Sequence, residues 1–216
     1  MKSASKATLA SLIYRELEKL YPDAHCELDF KNPFQLLIAT ILSAQCTDKR
    51  VNIVTKDLFK VLKKPADGLK ISQEALENII RTTGFFRNKA KSILGACRVL
   101  SEDYGGEVPR TMEELVQIPG VGRKTANVVL GNAFNLPGLP CDTHVIRLSN
   151  RLGLTKSQDA VQVEKDLMPL FKPEQWCNTS HLLIWHGRRC CAARKPDCER
   201  CPLVSVCPAA RRITEY

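Results

Sequence analysis

Four cysteines near the end of the chain stand as Cys191-x6-Cys198-x2-Cys201-x5-Cys207. Four thiolates spread over 17 residues can converge on one inorganic centre, and Pro196, Pro202 and Pro208 interrupt helix between them and help hold the turns. Two ligand sets fit, a tetrahedral zinc ion or a [4Fe–4S] cluster. Zinc sites usually pair two short knuckles across a longer spacer. Here only Cys198 and Cys201 make a knuckle, which favours the larger cluster and leaves zinc, or no metal, as alternatives. Cys190 adjoins Cys191 and competes for the same centre. A second set of groups lies upstream, in Ile118-Pro119-Gly120-Val121-Gly122-Arg123-Lys124-Thr125-Ala126. Pro119 ends one helical stretch, Gly120 and Gly122 permit positive φ in a tight turn, and a new helix begins near Arg123. Its first amides and positive dipole end face outward, so the turn can bind a phosphate oxygen without reading a base. It lacks the Gly-x4-Gly-Lys-Ser/Thr pattern of a nucleotide-triphosphate loop. Lys124 falls in the first turn. A lysine there is ordinarily a solvated surface charge, but a neutral amine is a nucleophile that forms Schiff bases. Asp142, in Cys141-Asp142-Thr143-His144, reads as the N-cap of a helix starting near Thr143, and its carboxylate could also stabilise a developing cation or accept a proton.

These groups need a scaffold, and the periodicity supplies a helical one. Leu9, Leu12, Ile13, Leu17 and Leu20 recur at core-facing helical spacing. Asn32-Pro33 opens an apolar stretch, Phe34 to Ala44, long enough for a buried helix, and Val51, Val54, Leu58 and Val61 form another stripe. Ser72 is an N-cap candidate for a helix carrying Leu76, Ile79 and Ile80, which Gly84 ends. Ile93, Cys97 and Leu100 mark the next helix, stopping near Gly105-Gly106, and Thr111 with Glu114 reads as a capping box. Further helices are expected over 123–134, 144–152, 159–171 and 174–187. No run of strict alternation appears, so the expected class is all-α.

Composition narrows the functional classes. The 216 residues carry 32 Lys+Arg against 23 Asp+Glu, a net charge of +9, with 44% hydrophobic and 25% charged residues; this is globular and not disordered. No apolar run approaches the roughly 20 residues of a membrane helix. The N-terminal Met1-Lys2-Ser3-Ala4-Ser5-Lys6 leads into a stretch too broken by Tyr14 and Arg15 for a signal-peptide core. A cytoplasmic, nucleoid-associated location is therefore expected. Disulfides are rare there, so ten cysteines point to a metal, a cluster or burial. Cys26, Cys46, Cys97, Cys141 and Cys177 read as small buried hydrophobes. The positive charge suits a polyanionic partner. A glycine turn between helices, followed by Arg123-Lys124, makes the DNA backbone the expected one.

Ile118 to Leu130, IPGVGRKTANVVL, resembles the helix–hairpin–helix of the endonuclease III family of DNA glycosylases. Eighteen residues after Lys124, Cys141-Asp142-Thr143-His144 resembles the family's Val-Asp-Thr-His signature. The cysteine spacing matches the family's cluster loop and selects Cys191 over Cys190. Ser43-Ala44-Gln45-Cys46-Thr47-Asp48 resembles its Ser-Ala-Gln-Ala-Thr-Asp segment, with Cys46 in place of Ala. The likeness runs from about residue 9 to 208.

The resemblance implies two helical lobes with a DNA cleft between them. A six-helix lobe carrying the hairpin would span 26–136, and 1–25 with 137–216 would form a discontinuous cluster lobe whose [4Fe–4S] loop is 191–207. It implies a bifunctional glycosylase and abasic-site lyase that removes oxidised pyrimidines from duplex DNA, acting as a monomer, with no membrane partner. Lys124 would attack C1′ of a flipped nucleotide, and Asp142 would stabilise oxocarbenium character. Gln45 and Phe85 would fill the hole left in the stack. Gly120, Gly122, Arg123 and Thr125 would contact the backbone, as would Arg194 and Lys195, with Arg200, in a loop ordered by the cluster. Ser43, Asp48 and His144 would line the pocket. For Phe85, where the family often has Leu, the competing reading is core packing beside Phe86; for His144 it is a structural histidine. Cys46 and Cys141 depart from the pattern and are expected to flank the pocket, altering its volume or making activity sensitive to oxidation. The alternatives are a mismatch or pyrimidine-dimer glycosylase of the same fold, and a non-catalytic iron–sulfur DNA-binding redox sensor.

Overall fold

The computed structural model describes residues 5–210. Among these residues all regular structure is helical: α1 (Lys6–Leu20), α2 (Pro33–Leu42), α3 (Asp48–Val61), α4 (Pro65–Gly68), α5 (Gln73–Ile80), α6 (Phe86–Asp103), α7 (Met112–Leu115), α8 (Arg123–Ala133), α9 (Thr143–Arg151), α10 (Ala160–Leu167) and α11 (Trp176–Arg189). Single 3-10 turns follow at Arg81–Thr83, Met168–Leu170, Pro173–Gln175 and Val204–Val206. No helix among the described residues is long and apolar enough to cross a membrane.

Short polar side chains start most of the longer helices. Ser5, Asn32, Thr47, Ser72, Asp142 and Asp159 each accept a first-turn amide of α1, α2, α3, α5, α9 and α10, which satisfies a donor that the helix itself leaves orphaned. The helix expected over 159–171 stops at Leu167 and tightens into a 3-10 turn, because Pro169 has no amide to donate.

The chain divides into two compact units, Glu27–Leu136 and the combination of Met1–Cys26 with Pro137–Tyr216; within the second, residues 1–4 and 211–216 lie outside the described residues. In the first unit α2 is the central helix, with eight of its ten residues buried. Fully burying side chains such as Leu36, Leu37 and Leu42 is worth about 1.5–3 kcal/mol each. In the second unit Ile13 and Leu17 of α1, Val145 and Leu148 of α9, Val163 of α10 and Leu182 of α11 share one core with Leu203.

Close backbone approach fixes where the 118–122 turn can lie. A Cβ on Gly95 of α6 would fall 2.9 Å from Pro119 Cβ, and one on Gly120 would fall 2.5 Å from Ser92 Cβ. Gly120 also has φ +81°, a left-handed conformation that L side chains rarely adopt. Gly120→Ala should therefore destabilise by about 2–4 kcal/mol, combining backbone strain with overpacking, and lower the melting midpoint by roughly 5–15 °C. Adding Ser92→Gly should restore the steric share and leave the φ penalty, which a double-mutant cycle on thermal melts would resolve.

Candidate active site

The hairpin packs from one side and is open on the other. Ile118 and Val121 are buried. After Gly120 the chain turns through Gly122 straight into α8. Gly122 departs from the sequence expectation. Its φ is −92°, and a Cβ there would meet nothing within 4 Å, so only Gly120 of the pair is held by stereochemistry. No side chain caps α8. Arg123 and Lys124 are exposed and Thr125 is half-buried, while Ala126, Asn127, Val129 and Leu130 turn into the core. The first turn of α8 thus presents uncapped amides, a guanidinium and an amine together, which is the arrangement an anion requires.

Two further loops of this unit carry predicted residues. Ser43 closes α2, its Oγ donating to the Thr40 carbonyl at 2.8 Å. Exposed Gln45 has φ +52°, and Asp48 opens α3. The Gly84-Phe85 turn is left-handed at both residues, with φ +70° and +46°. Phe85 is 63% exposed, which removes the core-packing reading and leaves an aromatic ring projecting into solvent. Its neighbour Phe86 is half-buried, with the guanidinium carbons of Arg81 and Arg87 5.9 Å and 5.6 Å from its ring centroid. Sequence reasoning missed the residue that holds this turn. Lys89 is 5% exposed. Its Nζ donates to the Thr83 carbonyl at 2.7 Å, and its backbone amide donates to the Phe85 carbonyl at 3.1 Å. One residue therefore clamps the turn from both sides. Burial holds the Lys89 ammonium below the usual lysine range, and the nearby Cys46 thiol opposes that shift.

In the other unit Asp142 caps α9. Its Oδ1 accepts the amides of His144 and Val145 at 2.8 and 2.9 Å. His144 packs against α11, where a Cβ on Gly187 would lie 2.8 Å from its Nδ1. Arg147 reaches the same nitrogen at 3.2 Å. Burial holds the His144 imidazole below its usual range, with Asp142 opposing and Arg147 adding to the shift. Cys141 corrects an expectation: it is 6% exposed, belongs to the core of this unit, and burial pushes its thiol up to about 12. Such a thiol is inert toward oxidants.

Cys191, Cys198, Cys201 and Cys207 line one cavity, which Cys190, His186 and Arg151 also border. The loop is held by helix α9. Arg147 donates to the carbonyls of Gly187 and Cys191 at 3.1 and 3.0 Å. Arg151 donates to the Ala192 and Ala193 carbonyls at 2.8 and 2.9 Å and to Cys191 Sγ at 3.1 Å. Its own carbonyl accepts the Ala209 amide at 3.3 Å, so one residue pins both ends of the loop. Arg194 and Lys195 lie on its exposed side, Lys195 with φ +52°. The convergence of thiols and one imidazole on a single cavity fits a metal cofactor. Arg147 and Arg151 escaped sequence reasoning; their signal was helical spacing from the Asp142 cap, at the third and seventh positions after His144.

An all-helical scaffold, a hairpin offering amides and an amine, a carboxylate at a helix start and a cysteine-lined cavity that fits a metal cofactor are the features of a helix–hairpin–helix DNA repair enzyme. Residues 38–173 match the family described as HhH-GPD superfamily base excision DNA repair protein, and the chain belongs to that family as a base excision repair DNA glycosylase. Endonuclease III of Synechocystis is 55% identical over 212 residues, covering 97% of this chain and 96% of that protein. Endonuclease III of Escherichia coli K12 is 41% identical, covering 93% and 95%. Among solved structures, a non-covalent endonuclease III–DNA complex superposes with a TM-score of 0.93 at 46% identity, covering 99% of this chain and all of that one. A thermostable thymine-DNA glycosylase shares the fold, with a TM-score of 0.86 at 23% identity.

The two amides accepted by Asp142 give its structural role a separate readout from any chemical one. Asp142→Asn, which can still cap, should melt within about 0.5 kcal/mol of the parent, whereas Asp142→Ala should lose about 1 kcal/mol. Urea denaturation of the two variants beside the parent would measure the difference.

Proposed function

We propose that the chain is a bifunctional glycosylase and abasic-site lyase that excises oxidised pyrimidines from duplex DNA, with Lys124 as nucleophile and Asp142 as electrostatic partner. The observation that carries this reading is the exposed Lys124 in the first turn of an uncapped helix, directly after the turn at Gly120. Two similar solved structures support it: one is a non-covalent endonuclease III–DNA complex and another a trapped covalent endonuclease III–DNA intermediate, the latter at 46% identity.

In this reading the first-turn amides of α8 and Arg123 bind phosphate oxygens flanking one nucleotide, with Gly120, Gly122 and Thr125 allowing the backbone to approach. Binding of this kind is independent of sequence and weakens with salt. The target nucleotide flips out, and Phe85 and Gln45 occupy the gap. An exposed aromatic ring suits the task because any base offers it a π-face. Ser43, Asp48 and His144 line the pocket for the extruded base. The Lys124 amine attacks C1′, the N-glycosidic bond breaks, and the base leaves with its electron pair. The carboxylate of Asp142 stabilises the positive charge that develops on the sugar and accepts a proton from the attacking amine. The C1′–O4′ bond of the aminal then opens, O4′ taking the electron pair and a proton, and leaves an iminium between C1′ and the lysine nitrogen; the iminium acidifies the C2′ proton, whose removal expels the 3′ phosphate by β-elimination. Lys124 and Asp142 must both reach the same sugar for these steps to follow.

Cys191, Cys198, Cys201 and Cys207 would hold a [4Fe–4S] cluster, whose contribution when bound is to order the loop. Arg194, Lys195 and Arg200 on that loop then add phosphate contacts. The cytoplasm, with the nucleoid as working place and the monomer as working form, accords with this role.

Borohydride reduction of the Schiff base tests the central step. The parent protein should form a covalent adduct with abasic duplex DNA. Lys124→Ala should form none while keeping its stability within about 0.5 kcal/mol, since the side chain is exposed. Asp142→Asn should retain DNA binding and lose at least about 100-fold in base release. Undiminished trapping by Lys124→Ala would overturn the lyase assignment.

A further inference from the structure

Five cysteines border the cavity of the 191–207 loop, and a four-thiolate centre uses only four of them. The fifth, Cys190, is not idle in the geometry. Its Sγ, Cys201 Sγ and a ring nitrogen of His186 lie within 4.8 Å of one another. Cys201 Sγ stands 3.4 Å from His186 Nε2. A tetrahedral zinc ion with Zn–S near 2.3 Å and Zn–N near 2.0–2.1 Å has S···N edges of about 3.6 Å and S···S edges of about 3.8 Å. The Cys201–His186 separation is therefore close to one edge of such a tetrahedron.

The imidazole is also prepared for ligation. His186 is 2% exposed, and its Nδ1 is 3.1 Å from the hydroxyl of Tyr21, itself 7% exposed. With Nδ1–H donating to the Tyr21 oxygen, Nε2 turns its lone pair toward Cys201. Metal-binding histidines are commonly oriented in this way by a partner on the other nitrogen. The Cys190 thiol rests on the Asp197 carbonyl at 3.3 Å, a contact it gives up on losing its proton.

We propose that His186, Cys190 and Cys201 form a second metal site, a three-ligand set for one tetrahedral divalent ion of the zinc class, with water in the fourth position. Binding would release the two thiol protons of Cys190 and Cys201. Because Cys201 belongs to both ligand sets, the ion and the four-cysteine cluster exclude each other. The exclusion clause rests on the cluster reading above, whereas the three-ligand site does not. The site would be available whenever the loop lacks its cluster, and filling it would hold Cys201 against His186 and leave Cys191, Cys198 and Cys207 outside the coordination shell.

Cobalt(II) is the probe, titrated into the full-length chain freed of its cluster and then displaced by zinc. One ion per chain should bind, with the visible bands of a tetrahedral ion and a charge-transfer band sized for two thiolates. Tyr21→Phe should weaken binding by about 10–100-fold, and Cys190→Ser and His186→Asn by more. Cys191→Ser and Cys198→Ser should leave it unchanged. No tetrahedral cobalt spectrum, or equal loss on Cys191→Ser and Cys190→Ser, would overturn the site. Iron and sulfide content of the same variants as purified separates this result from the cluster reading. Cys190→Ser should keep its iron and Cys191→Ser should lose it. Iron retained in Cys191→Ser would overturn the cluster ligand set without touching the second site.

Discussion

The approach of one backbone to another is the constraint on which the hairpin depends. Pro119 lies against Gly95 and Gly120 against Ser92, both at distances that no Cβ could tolerate. Helix α6 therefore dictates where the turn runs, and the turn dictates where α8 begins. Because α8 follows at Arg123, three residues past the left-handed Gly120, there is no linker along which the start of the helix could slide. The position of Lys124 is in this sense decided in α6, by a glycine nearly thirty positions earlier in the sequence. The same mechanism recurs at Gly187, where the absence of a Cβ lets His144 and Arg147 of α9 lie against α11.

Helix starts in this chain divide by purpose. Where a helix only has to form, a Ser, Thr, Asn or Asp side chain accepts a first-turn amide, a contribution of about 1 kcal/mol each. Helices α6 and α8 forgo it: the residue before one is Phe85 in a left-handed conformation, and before the other Gly122. Helix α11 also starts without a side-chain cap, but it continues a 3-10 turn at Pro173–Gln175; α6 and α8 start directly from turns, where a departure from local rules is expected to serve function. Lys89 shows how the cost at Phe85 is met. Its ammonium, buried with a carbonyl as acceptor, replaces the missing cap by holding the turn from within. Asp142 caps α9 with one oxygen alone, since both amides go to Oδ1, and its second oxygen is not used by the cap.

Much of this was legible in the sequence, because the features concerned are local. The all-helical class followed from periodicity, and the caps at Ser72 and Asp142 from short polar residues ahead of apolar stripes. The four cysteines that border one cavity were marked by their spacing. Contacts between distant segments left weaker traces. Arg151 looks like an ordinary solvated cation until the fold brings the 191–193 backbone to it. Tyr21 and His186 are 165 positions apart. Gly122 was misread for the opposite reason: the Gly-x-Gly pattern suggested two strained positions, and the turn needs one. Cys141 sits beside Asp142 in sequence, but side chains at successive positions at a helix start point different ways, so its thiol enters the core.

The cysteine loop obeys a different economy from the rest of the molecule. From residue 190 to 208 only Leu203 is buried, with Cys191, Cys201, Val206 and Cys207 packed half-buried against the same core, so hydrophobic burial holds it weakly. Hydrogen bonding adds to this, with Arg147 and Arg151 donating to the carbonyls that open the loop, the Arg151 carbonyl receiving the amide that closes it, and backbone bonds within the loop such as the Asp197 amide to the Cys190 carbonyl. Net hydrogen bonds contribute only about 1 kcal/mol apiece, too little against the conformational entropy of so many residues. Thiols converging on one cavity fit a metal cofactor, whose ligand bonds would add folding free energy outright. Helix α9 then stands between two duties. Its first residues hold the carboxylate of Asp142 in place through the cap, and its last turn carries the loop whose positive side chains face outward.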